Sequence, residues 1–323
     1  MRVLEGLHSL DGLDLTAGHG PDSIESRSAV LVGVFDGVHL GHQRLLHELS
    51  ELASETGALP TVVTFRNHPD EVLRGQPVDW IASLTHRLRL LRRAGVRRVL
   101  LLSFDDALRA MTARDFVERI LVRGLRSRGL LLGYDSAIGR NREGTPERLS
   151  ELGQEFGFVV RQGSRFAVDG QPVSSTAIRQ AIRAGDLALS HRMLGRWPQA
   201  FGEVIHGDAR GRTLGFPTAN LVPQSLVLPP PGVYAVEVLV EGETLPGVAN
   251  LGSRPTFDDE AHGTAPRLEV HVLDFTGDLY GHTLEVSFVA HLRPERRFED
   301  AKALEAQIRI DVDAARQALG VCR

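Results

Sequence analysis

From Ala29 to Arg161, short apolar runs rich in β-branched residues alternate with helical patterns, and this alternation restricts the fold more than any other feature of the chain. The runs are Ala29–Val34, Pro60–Phe65, Arg98–Phe104, Gly129–Tyr134 and Phe156–Arg161, with helical stretches such as Leu84–Arg93 and Thr112–Val122 between them. Strands that alternate with helices predict a Rossmann-like parallel sheet covered by helices on both faces. Residues 1–28 read as a short strand and a loop ahead of it. Near Gly195–Pro198 the pattern changes. Beyond it β-prone runs at Gly202–Ile205, Val233–Val240, Pro246–Asn250, Leu268–Phe275 and Leu284–Val289 are divided by Gly and Pro turns, and one helix, Phe298–Leu319, closes the chain. That half predicts a small antiparallel barrel or sandwich. At 323 residues the chain is long enough for two cores, which the sequence divides at 1–195 and 196–323.

The first half concentrates its chemistry in Gly33–His42, GVFDGVHLGH, which reads as strand, tight turn and helix. The free amides of a first helical turn and the positive end of its dipole favour phosphate there, and the glycines let it approach. His39 and His42 share a helix face if the helix has begun, and would then both donate to a bound triphosphate. A surface helix start, or half of a metal site, would carry the same pair. In a parallel sheet ligands sit beyond the carboxyl ends of the strands, where TFRNHP, GYDSAIGRNREG and this turn all fall. Neither a Walker-type loop nor a GxGxxG fingerprint occurs in this half, which disfavours a P-loop kinase and a hydride-transfer enzyme. VSSTAIR, Val173–Arg179, places Ser174, Ser175 and Thr176 ahead of a helix that carries Arg179, a pattern suited equally to capping and to phosphate binding.

In the second half the dense segment is Gly207–Asn220, GDARGRTLGFPTAN, in which glycines and two arginines precede a Pro-Thr-Ala-Asn turn. Its backbone can wrap a phosphate chain, and Thr218 and Asn220 offer neutral oxygens of the kind that complete a magnesium shell. A flexible Gly-rich loop is the plainer reading. Glu269 alternates with Leu268, Val270 and Val272 along a strand, so it is either a general base or an outward-facing charge.

The formal charge of −4, with scattered Lys and Arg and 6% aromatics, supplies no basic stripe or stacking platform, so no nucleic-acid partner is expected. A single cysteine, Cys322, leaves no internal disulfide, and no long apolar run or leader is evident. These features predict a cytoplasmic chain without membrane contact.

GVFDGVHLGH and VSSTAIR, followed by RGRTLGFPTANL, GVYAV, GSRPTF, LYG and LRPERRF, together resemble the prokaryotic bifunctional riboflavin kinase and FAD synthetase family over nearly the whole chain. The resemblance implies that the C-terminal module phosphorylates riboflavin with ATP and Mg2+, and that the N-terminal module adenylylates the FMN with a second ATP, releasing pyrophosphate. Flavin is then a substrate, small molecules are the partners, and the chain is monomeric or weakly self-associating. Carried over by position, Gly33, Phe35, Asp36, Gly37, His39, His42, Ser175, Thr176 and Arg179 hold ATP in the adenylyltransferase, and Phe65 and Asp135 hold flavin. Gly207, Arg212, Gly215, Thr218 and Asn220 hold ATP in the kinase, Thr218 and Asn220 also bind the metal, and Glu269 takes the proton from the ribityl 5′-hydroxyl. Two departures stand out. TFRNHP has Arg66 and Asn67 before His68, and GYDSAIG has Ser136 and Ile138 where the family carries two phenylalanines. Fewer aromatic faces imply weaker flavin stacking in the N-terminal module. The alternatives are thus an active kinase with a weak or inactive adenylyltransferase, and a flavin-nucleotide binding protein without turnover.

Overall fold

The computed structural model describes residues 1–10, 24–206, 215–225, 227–253 and 266–321. They group into two compact units, Met1–Val78 with Leu84–Val173, and Asp79–Ser83 with Ser174–Arg323.

In the first unit the strands are β1 (Arg2–Glu5), β2 (Ser28–Val32), β3 (Leu59–Phe65), β4 (Arg98–Leu102), β5 (Ser127–Leu132) and β6 (Val159–Gln162). All pair in parallel, in the order β1-β4-β3-β2-β5-β6. The central strands are mostly apolar, and Val30, Val62, Val63, Val99 and Leu130 are fully buried, as a sheet covered on its faces requires. Between them run α1 (Leu40–Glu55), α2 (Pro69–Arg74), α3 (Leu84–Arg93), α4 (Asp106–Ala110), α5 (Ala113–Phe116) and α6 (Pro146–Phe156). In α1 the spacing of Leu46, Leu49 and Leu52 puts all three in the core, and each contributes about 1.5–3 kcal/mol by burial. The helix expected from Thr112 is present, but α5 passes at Val117 into a π-helical segment that ends at Gly124. The run expected as a strand from Phe156 is shorter. Phe156 ends α6, Gly157 turns the chain in the left-handed region with φ 77°, and β6 begins at Val159. A small hairpin, β7 (Ala167–Val168) and β8 (Gln171–Pro172), follows.

The second unit opens with α7 (Ser175–Arg183) and α8 (Leu187–Leu194). Then come β9 (Gln199–Ile205), β10 (Ala219–Leu221), β11 (Gly232–Val240), β12 (Glu243–Ser253), β13 (Pro266–Val272), β14 (Thr283–Arg293) and α9 (Ala301–Leu319). The strands are antiparallel and close into a barrel, β10-β13-β12-β11-β14-β9, with β9 also pairing β10. Closure leaves no free sheet edge, and it decides the sequence's choice between barrel and sandwich. Alternate residues such as Leu268, Val270 and Val272 fill the interior. Ala315, Val312 and Leu319 of α9 pack outside on Val233, Ala235 and Val248. One expectation is corrected here. Ala219 and Asn220 are not a turn but part of β10, because Asn220 pairs with Ile205 on one side and Glu269 on the other.

Candidate active sites

In the first unit β2 and β5 are neighbours although β3 and β4 intervene in sequence, so the crevice at their carboxyl ends lies where the strand order reverses. A cavity of about 730 Å³ opens there. It gathers Gly33, Phe35, His42, Phe65 and Asp135, five residues anticipated from sequence, together with Ser136 and Ile138. Asp36, Gly37 and His39 form the turn behind it.

That turn is strained. Phe35, Gly37 and Val38 hold φ of 55°, 75° and 41°, and for a β-branched residue such as Val38 this region costs on the order of 1–3 kcal/mol. Phe35, Asp36 and Val38 are all buried, so packing sustains the geometry. A Cβ at Gly33 would lie 3.0 Å from the Phe35 ring, which would have to give way.

His39 is the N-cap of α1, and its Nδ1 accepts the His42 backbone N–H at 3.2 Å. Nδ1 therefore carries no proton, and Nε2 is the donor nitrogen of a neutral His39. The His39 and His42 rings stack 3.6 Å apart at 13°, which shows the shared face expected from their spacing. Burial, then the proximity of His39, then that of Arg87, hold His42 well below the usual histidine pKa of 6.5. It is a neutral ring whose buried Nδ1 has no hydrogen-bond partner among the described residues.

The Phe65 side of the cavity holds more aromatics than sequence showed. Phe104 and Phe116 also line it, and Phe65 meets Phe104 edge to face at 5.7 Å. Asn67 fixes Phe104: its Nδ2 donates to the Phe104 carbonyl and its Oδ1 accepts the Phe104 N–H, both at 2.8 Å. Arg66 instead pairs with Glu5 at 2.8 Å among exposed groups.

Ser175, Thr176 and Arg179 belong to the second unit. Ser174 caps α7 by accepting the Ala177 N–H at 3.2 Å, which puts Ser175 and Thr176 in its first turn. Arg179 donates through Nε to the Asp79 carbonyl at 2.8 Å.

In the barrel, Thr218 lines a second cavity, of about 450 Å³, with Val270, Phe275 and the Gly277–Tyr280 segment. Gly215, exposed with φ 82°, precedes it. Asn220, Glu269 and Asn250 are cross-strand partners on β10, β13 and β12, so their side chains form one row on the outer face while Leu268 and Val270 point inward. Glu269 is therefore outward-facing but flanked on both sides by amides. Asn250 Nδ2 donates to Glu295 at 3.2 Å. His271, two residues along the same face, hydrogen-bonds the Pro217 carbonyl through Nδ1 at 2.8 Å and meets the Phe216 ring edge-on, which anchors the segment that presents Thr218. Gly207 and Arg212 lie outside the described residues.

Among known proteins, a family model described as FAD synthetase matches residues 22–177, and one described as riboflavin kinase matches residues 194–319. The bifunctional riboflavin kinase/FMN adenylyltransferase of Pseudomonas fluorescens is 41% identical over 98% of this chain and 97% of its own. The chain belongs to that family. Relatives of the same description from Escherichia coli K12 and Bacillus subtilis are 38% and 34% identical, over 100% and 90% of this chain and 99% and 92% of theirs. A solved structure titled a macrolide-efflux protein from Streptococcus pneumoniae shares the fold, with a TM-score of 0.78 at 30% identity over 98% of this chain and 99% of that one. Among the described residues no helix is long and apolar enough to cross a membrane.

Three residues to which sequence reading gave no site role stand at or behind the first cavity. Phe104 and Asn67 lie 37 positions apart, and Arg87 reaches the Gly33–His42 turn from α3. A charged residue on the buried face of an amphipathic helix was the visible signal for Arg87, Asn67 stood out only as a departure in TFRNHP, and nothing local marked Phe104.

Proposed function

We propose that the chain makes FAD from riboflavin in two steps on two sites. Riboflavin is phosphorylated by ATP to FMN, and FMN is adenylylated by a second ATP to FAD with loss of pyrophosphate. The observation that carries this reading is the cavity of the first unit, which is lined both by the Gly33–His42 turn and by the Phe65–Phe104 pair. The proposed functional division is residues 1–195 for adenylylation and 196–323 for phosphorylation, although Ser174–Leu194 pack with the barrel.

In adenylylation an FMN phosphate oxygen attacks the α-phosphorus of ATP, and the bond to the β-phosphate oxygen breaks. Such a transfer depends on positioning and on donors aimed at the growing charge. His42, kept neutral, donates a hydrogen bond without introducing a titrating cation. His39, stacked on it, donates through Nε2, and the amides after Gly33 face the phosphates. Asp135, on the cavity wall, is placed to orient the flavin. Ser175, Thr176 and Arg179 are the further residues proposed to bind ATP phosphates.

In phosphorylation the ribityl 5′-oxygen attacks the γ-phosphorus while Glu269 accepts its proton, and ADP leaves. Asn220 and Asn250 hold the carboxylate's strand neighbours in place. Thr218 and Asn220 are neutral hard-oxygen donors of the kind magnesium takes, with Asn220 the cross-strand partner of Glu269, and a magnesium ion that arrives with ATP phosphates takes only one or two protein oxygens. That ion would offset charge on the transferred phosphoryl group. Gly207, Arg212 and Gly215 would wrap the ATP phosphates. A cytoplasmic location, a monomeric or weakly associating state and the absence of a nucleic-acid partner belong to the same reading, on the small-molecule substrates and the charge of −4.

A second reading, an active kinase with a weak adenylyltransferase, is favoured by one observation. Ser136 and Ile138, both without aromatic faces, line the flavin cavity. Incubation with riboflavin, ATP and magnesium, followed by chromatography of the products, separates the two. FMN together with FAD supports the first reading, and FMN that accumulates with no FAD at saturating concentration supports the second.

A further inference from the structure

Arg87 is the largest fully buried side chain among the described residues, 1% exposed on the inner face of α3. A guanidinium in a core is tolerated only with its hydrogen bonds made and its charge offset. Its Nη1 donates to the Val34 carbonyl at 3.0 Å and its Nη2 to the Phe65 carbonyl at 2.5 Å. These carbonyls stand at the carboxyl ends of neighbouring strands, one immediately before strained Phe35, the other on the residue proposed to contact flavin. Thr64 Oγ1 also donates to Val34, at 3.1 Å, so two donors fix the peptide from which the left-handed turn departs. Buried Asp36, inside that turn, offsets the charge.

We propose that Arg87 is a positioning residue of the adenylyl transfer, a clamp that joins the ends of β2 and β3 and holds the Gly33–His42 turn against both substrates. This rests on the adenylyltransferase reading of the site. A planar fork can bridge two carbonyls that an ammonium group cannot, which distinguishes arginine from lysine here. The charge has its own effect. Burial draws the Arg87 pKa down to about 10 against the opposing pull of Asp36, and the cation that remains helps to keep the neighbouring His42 unprotonated. His39 and Arg87 face His42 directly, and across the cavity lie Asp70 and Asp135 of one sign and Arg109, Arg140 and Arg142 of the other.

The test compares the full-length native chain with Arg87→Lys and Arg87→Met, measuring FAD formation from supplied FMN across pH and FMN formation from riboflavin in the same preparations. Arg87→Lys keeps the charge and loses the bridge, so kcat for FAD should fall about 10- to 100-fold with the acid limb of its pH profile unmoved. Arg87→Met loses both: the rate falls at least as far, and the acid limb moves to higher pH because His42 protonates more readily. Kinase activity stays native in both. Adenylylation within 3-fold of native in both variants, or a loss confined to KM with no displacement of the acid limb in Arg87→Met, would overturn the proposal. If Arg87→Met does not fold, a native kcat in Arg87→Lys overturns it alone. A native chain that forms no FAD at any pH overturns the underlying reading, and is told apart from failure of the clamp by the native control itself.

Discussion

In the first unit the candidate groups stand at and beyond the carboxyl ends of β2, β3 and β5, as far as the first turn of α1, held by positive φ angles at Phe35 and Val38 and by the buried hydrogen bonds of Arg87. In the barrel Asn220, Glu269 and Asn250 stand within three adjacent strands, where ladder register alone sets their spacing. One site is kept in shape by strain that buried polar contacts sustain, and the other by regular secondary structure. The difference teaches that the first should respond to changes well behind its surface, whereas the second should respond mainly to substitution of the row itself.

The largest effect should come from His39→Ala with His42→Ala. Each lost transition-state donor costs about 10²- to 10³-fold, so FAD formation should fall by roughly 10⁴-fold or more while riboflavin phosphorylation is spared. Steady-state assay of both reactions in one folded preparation checks this, and equal loss of both would remove the histidines from the adenylyl site.

Glu269→Gln should reduce FMN formation by about 10²- to 10⁴-fold and leave adenylylation of supplied FMN intact, because the amide keeps the shape of the row but takes no proton. Near-native phosphorylation by this variant returns Glu269 to the class of exposed strand charges.

Asn67→Ala tests whether aromatic faces hidden from sequence serve the flavin. It frees the Phe104 backbone, and an aromatic contact is worth about 0.5–1.5 kcal/mol, so half-saturating FMN should rise about 2- to 12-fold with kcat less affected. An unchanged value would place Phe104 off the flavin path. Ser136→Phe should lower half-saturating FMN by a similar factor. The companion change at Ile138 is a poorer probe, since Ile138 is 6% exposed in the core and a larger ring costs about 1–3 kcal/mol in overpacking.

The smallest effect concerns acid. The pKa of His42 is depressed on folding, so its contribution to stability is fully present above the unfolded value of 6.5 and is lost as pH falls through the lower folded value. Thermal unfolding of the first unit should thus shift down as pH drops below 6.5, by less in His42→Gln than in the native chain. Identical slopes would mean that His42 charges freely in the folded state.

Period and turn chemistry were enough to place β2, β3 and β4 within two residues, α3 at Leu84–Arg93 without error, and the crevice where five anticipated residues meet. They failed at Ala219–Leu221, a strand of three residues beside a Gly-rich segment, too short for a period-2 pattern to register. They also left Glu269 undecided between base and surface charge, because alternation says which face a side chain takes and not what stands next to it.

The sequence by itself determined which residues could be buried, which turns needed glycine and where strand passes to helix, since these depend on local sterics and on the hydrophobic spacing within one element. Only the tertiary structure decided that Asn220 and Asn250 flank Glu269, that Asn67 fixes Phe104 and that Arg87 clamps Val34 and Phe65 from 53 and 22 positions away. Those partners are selected by strand register and by the need of each buried polar group for a hydrogen bond, and neither is written in the neighbourhood of the residue that meets it.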